Sequence, residues 1–191
     1  MLIIYSHPNQ DGHAGHYLKT VEKFLQEKKV DYEVLDLYQM KYDPILHQNE
    51  HYTSGNKDVS QENQEIQQKI KAHNQFVFIY PTWWNNVPAI LKGFLDRVFV
   101  SGFGFRFKKS GIPEKLLKGK KAVVFSSSGG PRIYSWLFAR DRALKVVAND
   151  TLEFCGIKTK TFSVGKATRF TEAQKNKIEK IVPKGMRYLL G

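Results

Sequence analysis

Cysteine occurs once in this chain of 191 residues, at Cys155. A single thiol excludes an internal disulfide, a CxxC pair and a cysteine-rich zinc site. Between Phe154 and Gly156, at the end of a helical pattern, Cys155 reads as a small buried hydrophobe rather than a reactive nucleophile. Long apolar runs are also missing. Met1–Ser6 is apolar but too short, and has no basic segment, for a signal peptide. No stretch approaches the ~20 residues that cross a bilayer. The expectation is a soluble, cytoplasmic protein. Acidic residues are scarce, 18 against 30 Lys+Arg, giving a net charge of +12. That balance suits anionic partners such as nucleotide phosphates without choosing among them. Neither a Walker A sequence nor GxGxxG is present, which argues against a P-loop nucleotidase and a simple NAD-binding dehydrogenase.

Hydrophobic residues make up 41% and aromatics 13%, enough for a folded core. Apolar segments and helical periodicities alternate along the chain. Strands are expected at Leu2–Ser6, Tyr32–Leu37, Phe76–Tyr80, Ala122–Phe125 and Lys158–Val164. Helical faces are marked by Tyr17, Leu18, Val21, Phe24 and Leu25, by Val59, Asn63, Ile66 and Ile70, and by Ile90, Leu91, Phe94, Leu95 and Val98 after Pro88. Another face, Leu144 to Cys155, stops at Gly156, a C-cap glycine. Thr171 and Gln174 form a capping-box pattern for a last helix, which Pro183 breaks or kinks. A long polar connection, residues 39–60 with Pro44 and Gly55, has the length of a functional segment. These elements predict one α/β domain over residues 1–191. Its core is a doubly wound, five-stranded parallel sheet of order 2-1-3-4-5 with helices on both faces.

In such a sheet the ligand lies at the carboxyl ends of the first and third strands. Three loops should meet there. His7–Gly15 leads into a helix start whose free N–H groups favour a phosphate. Gly12 and Gly15 would let the backbone approach it, and His7 and His13 would donate hydrogen bonds. Pro81, Thr82, Trp83, Trp84 and Asn85 carry two adjacent indoles suited to a flat aromatic ligand. Ser127, Ser128, Gly129 and Gly130 are small enough for close approach to their backbone, and Tyr134 follows. The plainer reading makes the tryptophans core residues and Tyr134 an ordinary amphipathic tyrosine. The pairs His13/His16 and His47/His51 have helical spacing but lack the carboxylates of a metal helix, so no metal is expected. Lysines from Lys108 to Lys121 surround Phe103, Phe105 and Phe107. They read as a solvated loop with its aromatics turned inward, and no nucleic-acid partner is expected.

The stretches YPTWWNNVPAILKGFLDRVF, SSSGGPRIY and EFCGIK, with IIYSHP at the start, resemble those of the flavodoxin-like NAD(P)H:quinone oxidoreductases. That family includes DT-diaphorase, modulators of drug activity and ancillary subunits of potassium efflux systems. The resemblance implies bound FMN or FAD, NADPH or NADH as donor, and a homodimer with sites at the subunit interface. It also implies ping-pong hydride transfer to a small flat acceptor. Pro81–Asn85 and Ser127–Gly130 fall on its flavin loops, His7 on its first-strand histidine and Tyr134 on its active-site tyrosine. Two departures stand out. A Ser-Phe-Asn-like triplet becomes His13-Ala14-Gly15, and a proton-relaying histidine becomes Arg140. Arginine stays protonated, so Arg140 would act by charge if it faces the flavin, or else is a surface residue. The alternative role is regulatory, docked on a membrane transporter. A one-electron carrier is disfavoured, because an acidic docking surface has the wrong sign for this chain.

Overall fold

The computed structural model describes residues 1–51 and 58–191, so Gly55 lies outside the described residues. The chain order is β1 Leu2–Tyr5, α1 His13–Glu27, β2 Glu33–Asp36, α2 Gln61–Ala72, β3 Gln75–Thr82 and α3 Ala89–Val98. There follow β4 Phe105–Phe107, β5 Pro113–Lys115, β6 Lys121–Ser128, α4 Arg132–Leu137, α5 Arg142–Val147, β7 Lys158–Val164 and α6 Glu172–Leu190. The parallel sheet runs β2-β1-β3-β6-β7. Without the small β4–β5 hairpin this is the expected 2-1-3-4-5 order.

Side chains alternate across each strand, so each sheet face has its own core. Ile4, Phe76, Phe78, Tyr80 and Val124 pack with α2, α3 and α5. Ile3, Tyr5, Val77, Ile79 and Phe125 pack with α1 and α6. β3 is buried from Phe76 to Pro81, as a central strand covered on both faces must be. At the exposed edge, β7 carries Lys158 and Lys160, charges that discourage pairing with another chain.

The sheet's carboxyl edge has a step. β1 ends at Tyr5, opposite Ile79, while β3 and β6 run on together to Thr82 and Ser128. In a parallel ladder, successive residues turn their backbone groups to opposite sides. Ile79 faces β1, where its carbonyl accepts from the Ser6 N–H at 2.9 Å. Pro81 therefore faces the same side, beyond the end of β1, and its missing N–H breaks no ladder bond. The step opens the space that the ligand loops surround.

Four local expectations change. α6 continues through Pro183. Its face of Ile178, Val182, Met186 and Leu189 is fully buried, and Gly185 lies where a Cβ would stand 2.6 Å from the Phe125 ring. That burial outweighs the ~3 kcal/mol cost of an internal proline. Thr171 starts α6 without a side-chain cap. The Gln174 amide instead donates to the carbonyls of Gly165 and Lys166, at 3.3 and 3.1 Å. The Leu144–Cys155 pattern is α5 followed by a π-helical stretch, Ala148–Glu153, and Gly156 closes it at φ +104°. The basic-aromatic stretch forms the β4–β5 hairpin. Phe103 is buried there as expected, but Phe107 is 60% exposed. Cys155 is buried, and desolvation pushes its thiol up to about 12, which makes it inert.

Candidate active site

A cavity of about 540 Å³ sits on the step. Its floor and first wall come from His7, Asp11, Gly12, His13 and Ala14, where the chain leaves β1 and begins α1. Gly12 precedes the helix at φ +138°, no side chain caps it, and the first turn holds no acid. The helix start is therefore left with free donors and its positive end toward the cavity. Gly15 does not line the cavity. A Cβ there would meet the Gln10 carbonyl oxygen at 1.7 Å, so this glycine serves the packing of α1 on its own loop rather than approach by a phosphate.

His13 has an unusual setting. Its Nε2 is fully buried without a hydrogen-bond partner, and its ring meets the Phe170 ring edge-on at 5.0 Å. Desolvation lowers its pKa, and the neighbouring His16 and His7 lower it further. His16 turns away to Glu179 of α6, at 3.1 Å. His47 precedes a 3-10 turn, Gln48–Glu50, and bonds Asp43 at 2.6 Å.

The second wall is the tryptophan loop. Trp83 and Asn86 exchange two backbone hydrogen bonds of 2.9 Å, with Trp84 and Asn85 between them at φ +51° and +55°. This is a primed two-residue turn, a conformation that favours Asn-Gly and costs a bulky residue roughly 1–2 kcal/mol. The strain leaves Trp84 99% exposed above the cavity, with Trp83 41% exposed and 5.9 Å from the His7 ring. Neither is a core residue. Pro81 and Thr82 line the cavity below them, and Asn85 instead faces a small neighbouring recess.

From β6, Ser127 and Gly129 line the cavity, whereas Ser128 turns to the recess. Gly130 lines neither. A Cβ added to it would lie 3.6 Å from the Tyr134 ring, which places Tyr134 beside this loop. Tyr134 is half exposed and stacks on Phe138 at 5.5 Å. Arg140 is exposed, at φ +51°, and lines neither space.

Sequence reasoning missed a fourth wall made by Ala167, Thr168 and Phe170. They follow β7, whose carboxyl end lies on the same edge. The rule that selected the other loops would have found them had it been extended to the fifth strand. Asp141 and Arg132 were missed as well. The guanidinium holds the carboxylate bidentately, at 2.5 and 2.9 Å.

A family described as having a flavodoxin-like fold matches residues 1–184. The chain is 32% identical over 165 residues to an uncharacterized NAD(P)H oxidoreductase of Haemophilus influenzae, covering 85% of this chain and 81% of that protein. It is 37% identical over 81 residues, 37% of each protein, to FMN-dependent NADH:quinone oxidoreductase 2 of Listeria innocua. A crystal structure from Streptococcus mutans UA159 superposes with a TM-score of 0.85, at 31% identity and 98% coverage of both chains.

Proposed function

From the premise that the chain belongs to this flavodoxin-like fold family, we propose that residues 1–191 form one flavin-binding domain. It works as an FMN-dependent NAD(P)H:quinone oxidoreductase with a ping-pong route. The observation that carries the reading is the stepped cavity. An uncapped helix start, a strained tryptophan turn and a small-residue strand end meet around a space of ligand size.

The residues present fit FMN. The α1 start, with His7 and His13, offers N–H donors and a positive helix end to the phosphate. Gly129, where a Cβ would meet Thr168 at 3.5 Å, leaves backbone open to a flat ring. The Thr82–Asn85 backbone would border the flavin, and Trp83 and Trp84, which line the cavity, would shield it from water. Bound flavin supplies two-electron chemistry, taking hydride from NAD(P)H and passing it to the acceptor. Tyr134 would donate its hydroxyl hydrogen bond toward charge developing on the ring, and Arg140 would add fixed positive charge from the same loop, both from outside the lining of the flavin-free cavity. Its acceptors are quinones and similar flat aromatics that stack where the nicotinamide leaves.

The exposed apolar side chains of Ile133, Trp136, Leu137 and Phe138 lie beside the site, 55–70% exposed. A patch of this kind marks an interface, and the partner proposed is a second copy of the chain. The test is the visible spectrum of protein mixed with FMN and desalted, then treated with NADPH without oxygen, with light scattering on the same sample. Retained flavin bands that bleach, on a dimer, support the reading. Loss of FMN on desalting, and of FAD in a parallel sample, overturns it.

A further inference from the structure

The segment that carries Tyr134 is not fixed by core packing. α4 buries none of its six side chains, and helices this short are not stable on their own. Its position is set by polar tethers. Asp141 N–H donates to the Ser135 carbonyl at 2.8 Å, and the Ser128 and Ser135 hydroxyls meet at 3.3 Å. The strongest tether is the Arg132–Asp141 pair, which ties the first residue of α4 to the residue before α5. Between its ends the backbone is strained, with Arg140 and Asp141 both left-handed at φ +51° and +54°. Two such non-glycine residues persist only where the surroundings over-determine them. Here a forked guanidinium gripping a carboxylate does so, a geometry that lysine does not reproduce.

We propose that Arg132 and Asp141 are positioning residues for the redox step: their clasp fixes the loop that aims Tyr134 at the flavin. Neither lines the main cavity, nor does Tyr134, and Asp141 lines only the small recess with Thr82, Asn85 and Ser128; the clasp acts by holding the Tyr134 segment rather than by touching the ligand. The pair is only partly shielded, with side-chain exposures of 41% and 16%, so its contribution to global stability is small. Its effect is on geometry, to which transfer rates are far more sensitive than folding is. The inference rests on Tyr134 acting at the flavin.

The experiment is anaerobic stopped-flow mixing of FMN-loaded protein with NADPH, following the loss of oxidised-flavin absorbance. Arg132→Gln, Asp141→Asn, Tyr134→Phe and the double variant Arg132→Gln/Tyr134→Phe are compared, with FMN affinity and melting temperature read on each. Each clasp variant should reduce flavin about tenfold more slowly, with FMN still bound and melting little changed. The double variant should be no slower than Tyr134→Phe, because the clasp works through that hydroxyl. Exchanging the partners, Arg132→Asp with Asp141→Arg, should recover part of the rate. Wild-type rates in the clasp variants while Tyr134→Phe is slow would overturn the clasp and leave the Tyr134 reading standing. Multiplicative slowing in the double variant would also overturn it. A wild-type rate for Tyr134→Phe would remove the premise, and the inference with it.

Discussion

Helix α1 buries Ala14, Gly15, Tyr17, Leu18, Val21 and Leu25, whereas α4, on the other side of the same cavity, buries nothing. Both begin just after a strand end, but α1 lines the cavity with His13 and Ala14, whereas α4 lines only the neighbouring recess, through Ser135. α1 is held by contact with the sheet and α6, so its place follows from its apolar stripe. α4 is held by an ion pair, a hydroxyl pair and backbone bonds within its own loop. The same edge thus joins a side held by packing to a side held by polar tethers. Sites built on packed elements keep their geometry at little risk, while loops pinned by polar tethers adjust or fail through single residues.

The largest effect is expected where packing is tightest. Gly15→Ala places a methyl 1.7 Å from the Gln10 carbonyl oxygen, a backbone atom that cannot rotate away. Either α1 moves off its loop or the loop that carries the cavity's floor is displaced. The expected loss is about 3 kcal/mol or more in chemical denaturation, with FMN affinity falling in parallel. A variant of ordinary stability would show that α1 is seated on its loop no more tightly than α4 is.

A buried tether lies between the two extremes. Arg97 of α3, 5% exposed, grips Glu50 through Nε and Nη2 at 2.8 Å each, donates to the Asp43 carbonyl, and lies over the Tyr42 ring at 5.5 Å. Gly93 lets Pro44 rest on the helix, since a Cβ there would be 2.0 Å from its carbonyl oxygen. Burial alone would raise the Glu50 carboxyl, but the Arg97 hydrogen bonds hold it below its ordinary value. Arg97→Ala leaves that carboxylate shielded and unpaired, at a cost of about 3 kcal/mol. Arg132→Gln, at the exposed clasp, should cost about 1 kcal/mol or less. If denaturation gave equal losses, burial would not be what separates a structural tether from a positioning one.

The same contrast explains what the sequence revealed. The strand order, both core faces and three of the cavity's walls follow from periodicity, because apolar burial sets those elements and leaves its mark on nearby residues. What stayed hidden depends on partners far along the chain or on strain. Nothing local to Thr171 announces that Gln174 serves the carbonyls of Gly165 and Lys166, and Pro183 looks like a stop until Gly185 is seen against Phe125. Arg140 drew notice for its place in a motif, while its neighbour Asp141 makes the bond that shapes the loop. Gly15 was noticed for a plausible reason and is needed for another.

The smallest effect concerns His13, packed like α1 yet polar like the tethers. Its buried, unpartnered Nε2 favours the neutral ring in the folded protein, and its pKa lies below the ordinary 6.5. The unfolded chain therefore binds the proton more readily. The stability this gives is complete above 6.5 and is lost as pH falls through that value toward the lowered one. His16, which bonds Glu179, and His7 lower the His13 pKa further through their charge. Glu50 and Asp43, whose carboxyls are held below 4.5 and 3.8, act only in a more acidic window. Flavin-free protein should therefore lose stability modestly as pH falls below the ordinary 6.5, and His13→Asn should flatten that part of the profile. Denaturant titrations at several pH values measure it. An unchanged slope in His13→Asn would mean that the imidazole is hydrated, and would move the start of α1 from the packed side of the comparison to the tethered one.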